Sequence, residues 1–464
     1  MSSRGTAVAD GQGRTGRRHG PASTRDLGWG PPPLPPGWPL VVLLGAFPVF
    51  WALGLPNLAV TIMAVPMLLQ LIRKRHVVFP RGFMLWALFL LWSAVGVLML
   101  GVNPADTVPD SPASRLLAFG VRELSYFSVT IVLIYIGNLT EAEFSQKRLV
   151  RLLGVFFVWT VLGGVVGMLW PYFQFTSPFE LLLPDDIRYN LYVQHLVHPT
   201  TAQVQDLIGT QTPRPAAPFG YTNTWGFHVT VLGIWFIAGS VIGRSQGAKL
   251  LSLAILGVGA VTLVYSLNRA AWLGCALALG YIVVRLALRR RVLPLALVML
   301  AVSVGTLAVF ASPLQAVIDA RINDGKSNSI RAFTAERALD LSRQSPVLGY
   351  GSTRQSQGSA ASIAVGKSAD CPQCGNVSIG INGYAFMLLV STGWVGAFLF
   401  FSFLIVQILA VRGISSNTVA AGVAVILLTV VYGLAYDIST WMLVPFVTLG
   451  LLWREVQQRQ AGPT

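Results

Sequence analysis

From about residue 39 onward the chain is a succession of apolar runs, most of them roughly 17–25 residues long. That is the length an α-helix needs to cross about 30 Å of hydrocarbon. Runs of this kind predict membrane helices near 39–55, 57–72, 83–101, 117–137, 150–170, 224–242, 249–267, 270–288, 292–311, 383–411, 418–435 and 439–453. The run at 383–411 has length to spare for an interfacial first turn. Residues 1–38 differ: they are rich in Gly, Pro, Arg and Ser and contain the stretch Pro31–Pro36. Such a composition cannot bury a core and predicts a disordered tail. No apolar run follows the basic N-terminus closely, as it would in a cleaved leader. The expected fold is therefore an all-α membrane protein, a polytopic helical bundle of about twelve transmembrane helices. One membrane domain would occupy 39–453, with a short second tail at 454–464.

Composition agrees with that pattern. The 464 residues are 54% hydrophobic and 11% charged, with a mean hydropathy of +0.63. Soluble domains carry about 25% charged residues. A net charge of +15 raises the question of a nucleic-acid partner. The cations, however, sit largely in short loops beside apolar runs, where they set orientation in a membrane. Three cysteines are too few for a disulfide framework.

The loop charges order the helices. Arg73, Lys74, Arg75 and Arg81, then Lys147 and Arg148, then Arg289, Arg290 and Arg291 alternate with loops poor in cations. By the positive-inside rule both termini lie in the cytoplasm, and segments 171–223 and 312–382 form two long loops outside the cytoplasmic (inner) membrane. Long ordered loops usually carry function. These two hold Arg188, Arg214, Arg321, Lys326, Arg331, Arg337, Arg343, Arg354 and Lys367. Arg269 opposes the orientation rule most clearly, since it ends the very short outer turn Ser266-Leu267-Asn268-Arg269. Guanidinium groups grip phosphate through a planar fork and keep their charge. Cations at an outer membrane edge suit a diphosphate head group, although single surface arginines commonly snorkel or pair with lipid.

Other chemistry in the loops is sparser. Glu180, Asp185, Asp186, Asp206, Glu336 and Asp340 are the carboxylates able to take a proton. Glu336 and Asp340 would share a helix face, alongside Arg337 and Arg343, and such faces are ordinarily solvated. Glu336 stands as the candidate base. His195 and His198 lack the further ligands a zinc site needs, so no metal is expected. His228, four residues into a membrane helix, is a candidate substrate contact because ionisable groups at that depth are often functional; packing is the competing role. Cys371-Pro-Gln-Cys374 outside the cytoplasm reads as a small disulfide, and Cys275 as core. Gly349-Tyr-Gly351 lacks the Lys-Ser/Thr of a phosphate loop and reads as a tight turn.

Three stretches together resemble the O-antigen ligase and polymerase-like superfamily of bacterial membrane glycosyltransferases. They are Arg214-Pro-Ala-Ala-Pro-Phe-Gly220-Tyr-Thr-Asn223-Thr-Trp-Gly226, Ser266-Leu-Asn-Arg269-Ala-Ala-Trp272-Leu-Gly274, and Ser327-Asn-Ser-Ile-Arg331 followed by Ser345-Pro-Val-Leu-Gly349-Tyr-Gly351. The resemblance implies a metal-independent glycosyltransferase without cofactor. Its donor would be a glycan on a polyprenyl diphosphate, and its acceptor a sugar hydroxyl. Arg214 and Arg331 match the arginines thought to hold the donor diphosphate, and Arg269 matches the arginine of the family's Ser-Arg-Gly-type turn. The family's ligases typically place a His-Asn pair eleven residues before a Gly-x-x-Gly segment. Here that position is Asn382-Gly383 before Gly393-Trp-Val-Gly396. Asn382 thus stands where a catalytic histidine is expected, which tilts the expectation from ligase towards polymerase. A transporter or flippase for lipid-linked glycans is the competing class. It calls for charged groups at mid-depth and broken helices, whereas these runs read as nearly free of charge.

Overall fold

The computed structural model describes residues 34–189, 191–206, 211–240, 245–310, 315, 318–319, 325–356, 377–439 and 441–461. Most of the expected N-terminal tail, together with Arg321, Lys367, Cys371 and Cys374, lies outside the described residues. Helices α1 (Trp38–Gly45), α2 (Phe47–Ala52), α3 (Ala59–Ile72) and α4 (Phe83–Val95) open the bundle. Next come α5 (Pro112–Gly137) and α6 (Gln146–Leu169). Three short helices, α7 (Pro178–Leu181), α8 (Asp185–Arg188) and α9 (Leu191–Val197), lead into the hairpin of β1 (Ala202–Asp206) and β2 (Gln211–Pro215). Helices α10 (Thr222–Ser240), α11 (Gln246–Tyr265), α12 (Arg269–Leu288) and α13 (Val292–Phe310) follow. Helix α14 (Gly325–Gln344) and the short strands β3 (Arg354–Gln355) and β4 (Ser378–Ile379) precede α15 (Tyr384–Ala410), α16 (Asn417–Gly433) and α17 (Leu443–Ala461). Both strand pairs are antiparallel.

Five of these helices are long and apolar enough to cross a membrane: α5, α6, α11, α12 and α15. Shorter apolar helices occur at Ala59–Ile72, Phe83–Met99, Val292–Gly305 and Asn417–Gly433. The first long loop is built from α7 to α9 and the β1–β2 hairpin. Side-chain caps begin several helices. Ser111, Ser145, Asn268 and Ser416 accept from the backbone N–H three residues on, satisfying one of the donors a helix start leaves open.

Tight interlocks hold the bundle together. Trp86, Phe89, Tyr126, Phe400 and Phe403 form a buried aromatic cluster joining α4, α5 and α15, and Phe446 of α17 reaches the Trp86 ring at 4.9 Å. The Trp86 indole donates to Thr130 Oγ1 at 2.8 Å. Helix α10 lies on α6, where Gly164 leaves room for the Trp225 ring and the Trp225 indole donates to the Thr160 carbonyl. At the end opposite the long loops, Lys74 pairs with Glu143 at 3.0 Å and Arg454 with Glu141 at 2.6 Å. Helix α17 runs on to Ala461, with Val456 still buried beyond Trp453.

Two features correct the expectation from pattern alone. Helix α15 is one apolar run, but it breaks at Gly393, whose φ of 67° and ψ of −172° interrupt the helical ladder. The segment after α14 fills the gap. Tyr350 and Gly351 donate their N–H groups to the carbonyls of Val390 and Ser391, and Trp394 N–H donates to the Pro346 carbonyl. The backbone groups that the break would strand away from water are thereby satisfied, the condition for irregular backbone at membrane depth. Gly349 and Gly351 do make the tight turn, with φ of 64° and 73°. The second correction concerns charge. Arg122 and Glu123 lie buried within α5, paired at 3.3 Å, with Ser93 donating to Glu123 and Arg122 donating to the Gly351 carbonyl. An apolar average over the run hides this pair.

Candidate functional site

The turn between α11 and α12 is the point on which the site is built. Its conformation is set by Asn268, 1% exposed, whose Oδ1 caps α12 by accepting Ala271 N–H at 3.1 Å. Its Nδ2 donates to the Thr222 carbonyl at the start of α10. Gly226, one turn into α10, makes that approach possible, because a Cβ there would lie 2.3 Å from Asn268 Nδ2. The glycine that closes the first family-like stretch thus serves the turn at the heart of the second.

Arg214 projects from β2 into the same turn. It is 4% exposed, and its Nε donates to the Ser266 carbonyl at 2.7 Å. Its own carbonyl accepts from Thr222 Oγ1. Arg269 occupies the first helical position of α12, directly after Asn268, and is half-buried. Arg331 arrives from α14. Its Nη1 donates to the Ala435 carbonyl at 2.5 Å, and its guanidinium sits 5.0 Å from the centre of the Tyr436 ring. The Tyr436 hydroxyl in turn donates to Asn268 Oδ1 at 2.7 Å. Arg269 lies on this turn, Arg214 is bonded to it, and Arg331 is linked to it through Tyr436. A guanidinium has five N–H donors. Among the described residues one of those on Arg331 has a hydrogen-bond partner.

The remaining sequence candidates are placed differently. Asn382 is half-buried beside α14 and donates from Nδ2 to Thr334 Oγ1 at 3.1 Å, one turn along from Arg331. Glu336 is exposed on the side of α14 away from Thr334, and the structure does not bring it to the turn. His228 is 1% exposed, stacked 4.1 Å from Phe219 and edged by Trp441 and Phe227, with Nδ1 bonded to its own helix at Thr224. That is the packing role. Of the other loop cations, Arg354 is 2% exposed and donates to the carbonyls of Met99, Val102, Tyr350, Ser352 and Thr353. It ties the loop after α14 to the segment that follows α4. His198 Nδ1 bonds Glu180 Oε2 at 2.8 Å, and Glu180 also closes a capping box with Ser177. Burial alone would raise the Glu180 carboxyl, but hydrogen bonds from Gln194 and His198 bring it below its ordinary value.

One carboxylate escaped the sequence reading. Asp437 follows Tyr436 in the loop between α16 and α17, and burial pushes its carboxyl up from the ordinary value. The predicted runs at 418–435 and 439–453 leave only a few residues between them, so length and composition drew attention elsewhere. The signal available was an acidic residue, Asp437, flanked by Tyr436 and Trp441 at the same end as the long loops.

The apolar helices define an integral membrane protein. Residues 251–401 match the family described as O-antigen ligase, which supports the O-antigen ligase/polymerase-like superfamily and, with it, a membrane glycosyltransferase of that kind. The matched span takes in Arg269, Arg331, the Gly349–Gly351 turn and Asn382, and leaves Arg214 and Asp437 outside. No curated protein matches the chain.

Proposed function

We propose that this protein transfers or polymerises glycans from a polyprenyl-diphosphate-linked donor, at the outer face of the cytoplasmic membrane, without a metal. The observation that carries this reading is the meeting of Arg214, Arg331 and the Arg269 turn through Ser266, Asn268 and Tyr436. In such a transfer the bond from the anomeric carbon to the diphosphate oxygen breaks, and the acceptor hydroxyl oxygen bonds to that carbon. The leaving diphosphate gains negative charge, and fixed guanidinium groups in a partly dry site stabilise it. The hydroxyl proton passes to a carboxylate. We assign that role to Asp437, which follows Tyr436 in the chain and accepts Ser439 N–H, in preference to the exposed Glu336. Asn382 can orient but not accept a proton from an acceptor at neutral pH, which keeps polymerase slightly ahead of ligase. The long-loop end is taken as the outer end because Arg73 to Arg75, Lys147 and Arg289 to Arg291 gather at the other.

A flippase for lipid-linked glycans is favoured by the break in α15 and the buried Arg122–Glu123 pair, both common in transporters. The break is filled by three backbone hydrogen bonds from the loop after α14, however, and so resembles a fixed joint more than a moving one. Reconstitution of the purified protein with a lipid-linked oligosaccharide separates the readings. Ladders of polymer mark a polymerase, a single shifted acceptor band a ligase, and translocation without a new bond a flippase. Arg269→Ala and Arg331→Ala are each expected to lower turnover about 10²–10³-fold, the usual cost of removing a donor to developing charge. Undiminished turnover in both variants would remove the arginines from the mechanism.

A further inference from the structure

We infer that Tyr436 is a positioning residue that sets the gap between Arg331 on α14 and the α12 N-terminus bearing Arg269; this rests on the transferase reading of the site. Tyr436 belongs to neither arginine-bearing element. It lies in the α16–α17 loop, 7% exposed. Its main chain is fastened at both ends: its N–H donates to the Tyr432 carbonyl at 2.8 Å, and its carbonyl accepts Tyr384 N–H at 2.9 Å. The side chain therefore projects from a backbone anchored to the end of α16 and the start of α15.

Two separate parts of that side chain hold two separate elements. The hydroxyl donates to Asn268 Oδ1, the same oxygen that caps α12 through Ala271 N–H. An amide oxygen has two lone pairs, so both bonds coexist. The amide's other end is committed to the Thr222 carbonyl, which fixes which way the group points. The ring face carries the Arg331 guanidinium, while the carbonyl of the preceding residue, Ala435, takes its Nη1. One dipeptide thus supplies both anchors of Arg331, and one hydroxyl ties that dipeptide to the residue before Arg269. A phenylalanine would fill the same volume and keep the cation over an aromatic face, but would leave α12 without its strut. A leucine would remove both contacts.

Groups prearranged for charge that develops in the transition state act on kcat more than on KM. The test uses the full-length protein in liposomes with a lipid-linked oligosaccharide donor, measuring kcat, donor KM and a double-mutant cycle with Arg331→Ala. Tyr436→Phe is expected to lower kcat about 5–10-fold, the worth of one hydrogen bond, with KM changed less than about 2-fold. Tyr436→Leu is expected to fall further, and adding it to Arg331→Ala is expected to cost little more than Arg331→Ala alone, since contacting residues are not additive. Full additivity in that cycle, or a Tyr436→Phe enzyme with native kcat, overturns the proposal. Should Tyr436→Leu not fold, the cycle is run with Tyr436→Phe and Asn268→Ala, which share the hydroxyl contact; additivity between those two overturns it equally. If Arg331→Ala and Arg269→Ala retain full turnover, the transferase reading of the arginines has failed as well. If they lose turnover while Tyr436 behaves additively, only the role of Tyr436 has failed.

Discussion

Replacing Gly393 by alanine strikes the joint that connects the membrane helices to the arginine-bearing loop. The φ of 67° with ψ of −172° lies in a region essentially reserved for glycine, which costs an L-residue about 1–3 kcal/mol. A Cβ would also sit 2.5 Å from the Val347 carbonyl oxygen and 2.6 Å from that of Pro346. Both are backbone atoms that cannot swing aside. The loop must withdraw, which endangers the bonds from Tyr350 to Val390, Gly351 to Ser391 and Trp394 to Pro346. Each contributes about 0.5–1.5 kcal/mol net, and more where water cannot replace it. The expected loss is about 4 kcal/mol, read as a lowered denaturation midpoint in detergent micelles. Gly257→Ala in α11 is the control, because nothing lies within 4 Å of its Cβ position. That variant is expected to match or slightly exceed the native midpoint, since alanine favours a helix over glycine by about 1 kcal/mol. Glycosyl transfer in Gly393→Ala should fall too, as Arg331 precedes the displaced segment on the same stretch of chain. A Gly393→Ala protein that unfolds at the native midpoint would refute the account of the joint.

Arg354→Leu should cost roughly 3 kcal/mol or more by stranding buried carbonyls of Met99, Val102 and Tyr350, measured by the same unfolding curves, while the folded fraction keeps its turnover. Asp437→Asn should lower kcat about 10²–10⁴-fold, the range for loss of a general base. Because burial raises the Asp437 carboxyl, the native pH–rate profile should fall on its acid side above the usual carboxylate range; an acid limb at the ordinary value would count against that assignment. The Glu180 carboxyl is lowered from its ordinary 4.5, so the stability it lends the α7–α9 segment is present above that value and lost as pH falls through the lowered one. Hydrogen exchange across residues 177–198 should show that acid-side loosening, and Glu180→Gln should flatten it.

The helical framework could be read from the chain because long apolar runs leave few alternatives in a membrane. The polar first turns were not read: the runs predicted from 117 and 150 begin at Pro112 and Gln146, capped by Ser111 and Ser145. The motif arginines could also be read, since Arg269 in a turn of a few residues conflicts with the charge rule its neighbours obey. Their convergence could not. Arg214 reaches Ser266 across 52 positions and Arg331 reaches Ala435 across 104, and no local pattern encodes contacts of that span. The placement of Glu336 could not be read for the same reason: two carboxylates on one helix face look alike in sequence, yet packing chooses the face, and Glu336 is exposed.

Sequence alone determined that this is a membrane-embedded helical protein, because hydrophobic length is a local property. Tertiary structure alone decided how each arginine is held. Arg354 and Arg331 come from the same long loop region, but Arg354 is enclosed by backbone carbonyls while Arg331 rests on Tyr436 beside the α12 turn. The same division separates Gly393 from the other glycines of the helices: its break is stable only because a distant segment supplies the hydrogen bonds that a membrane interior cannot.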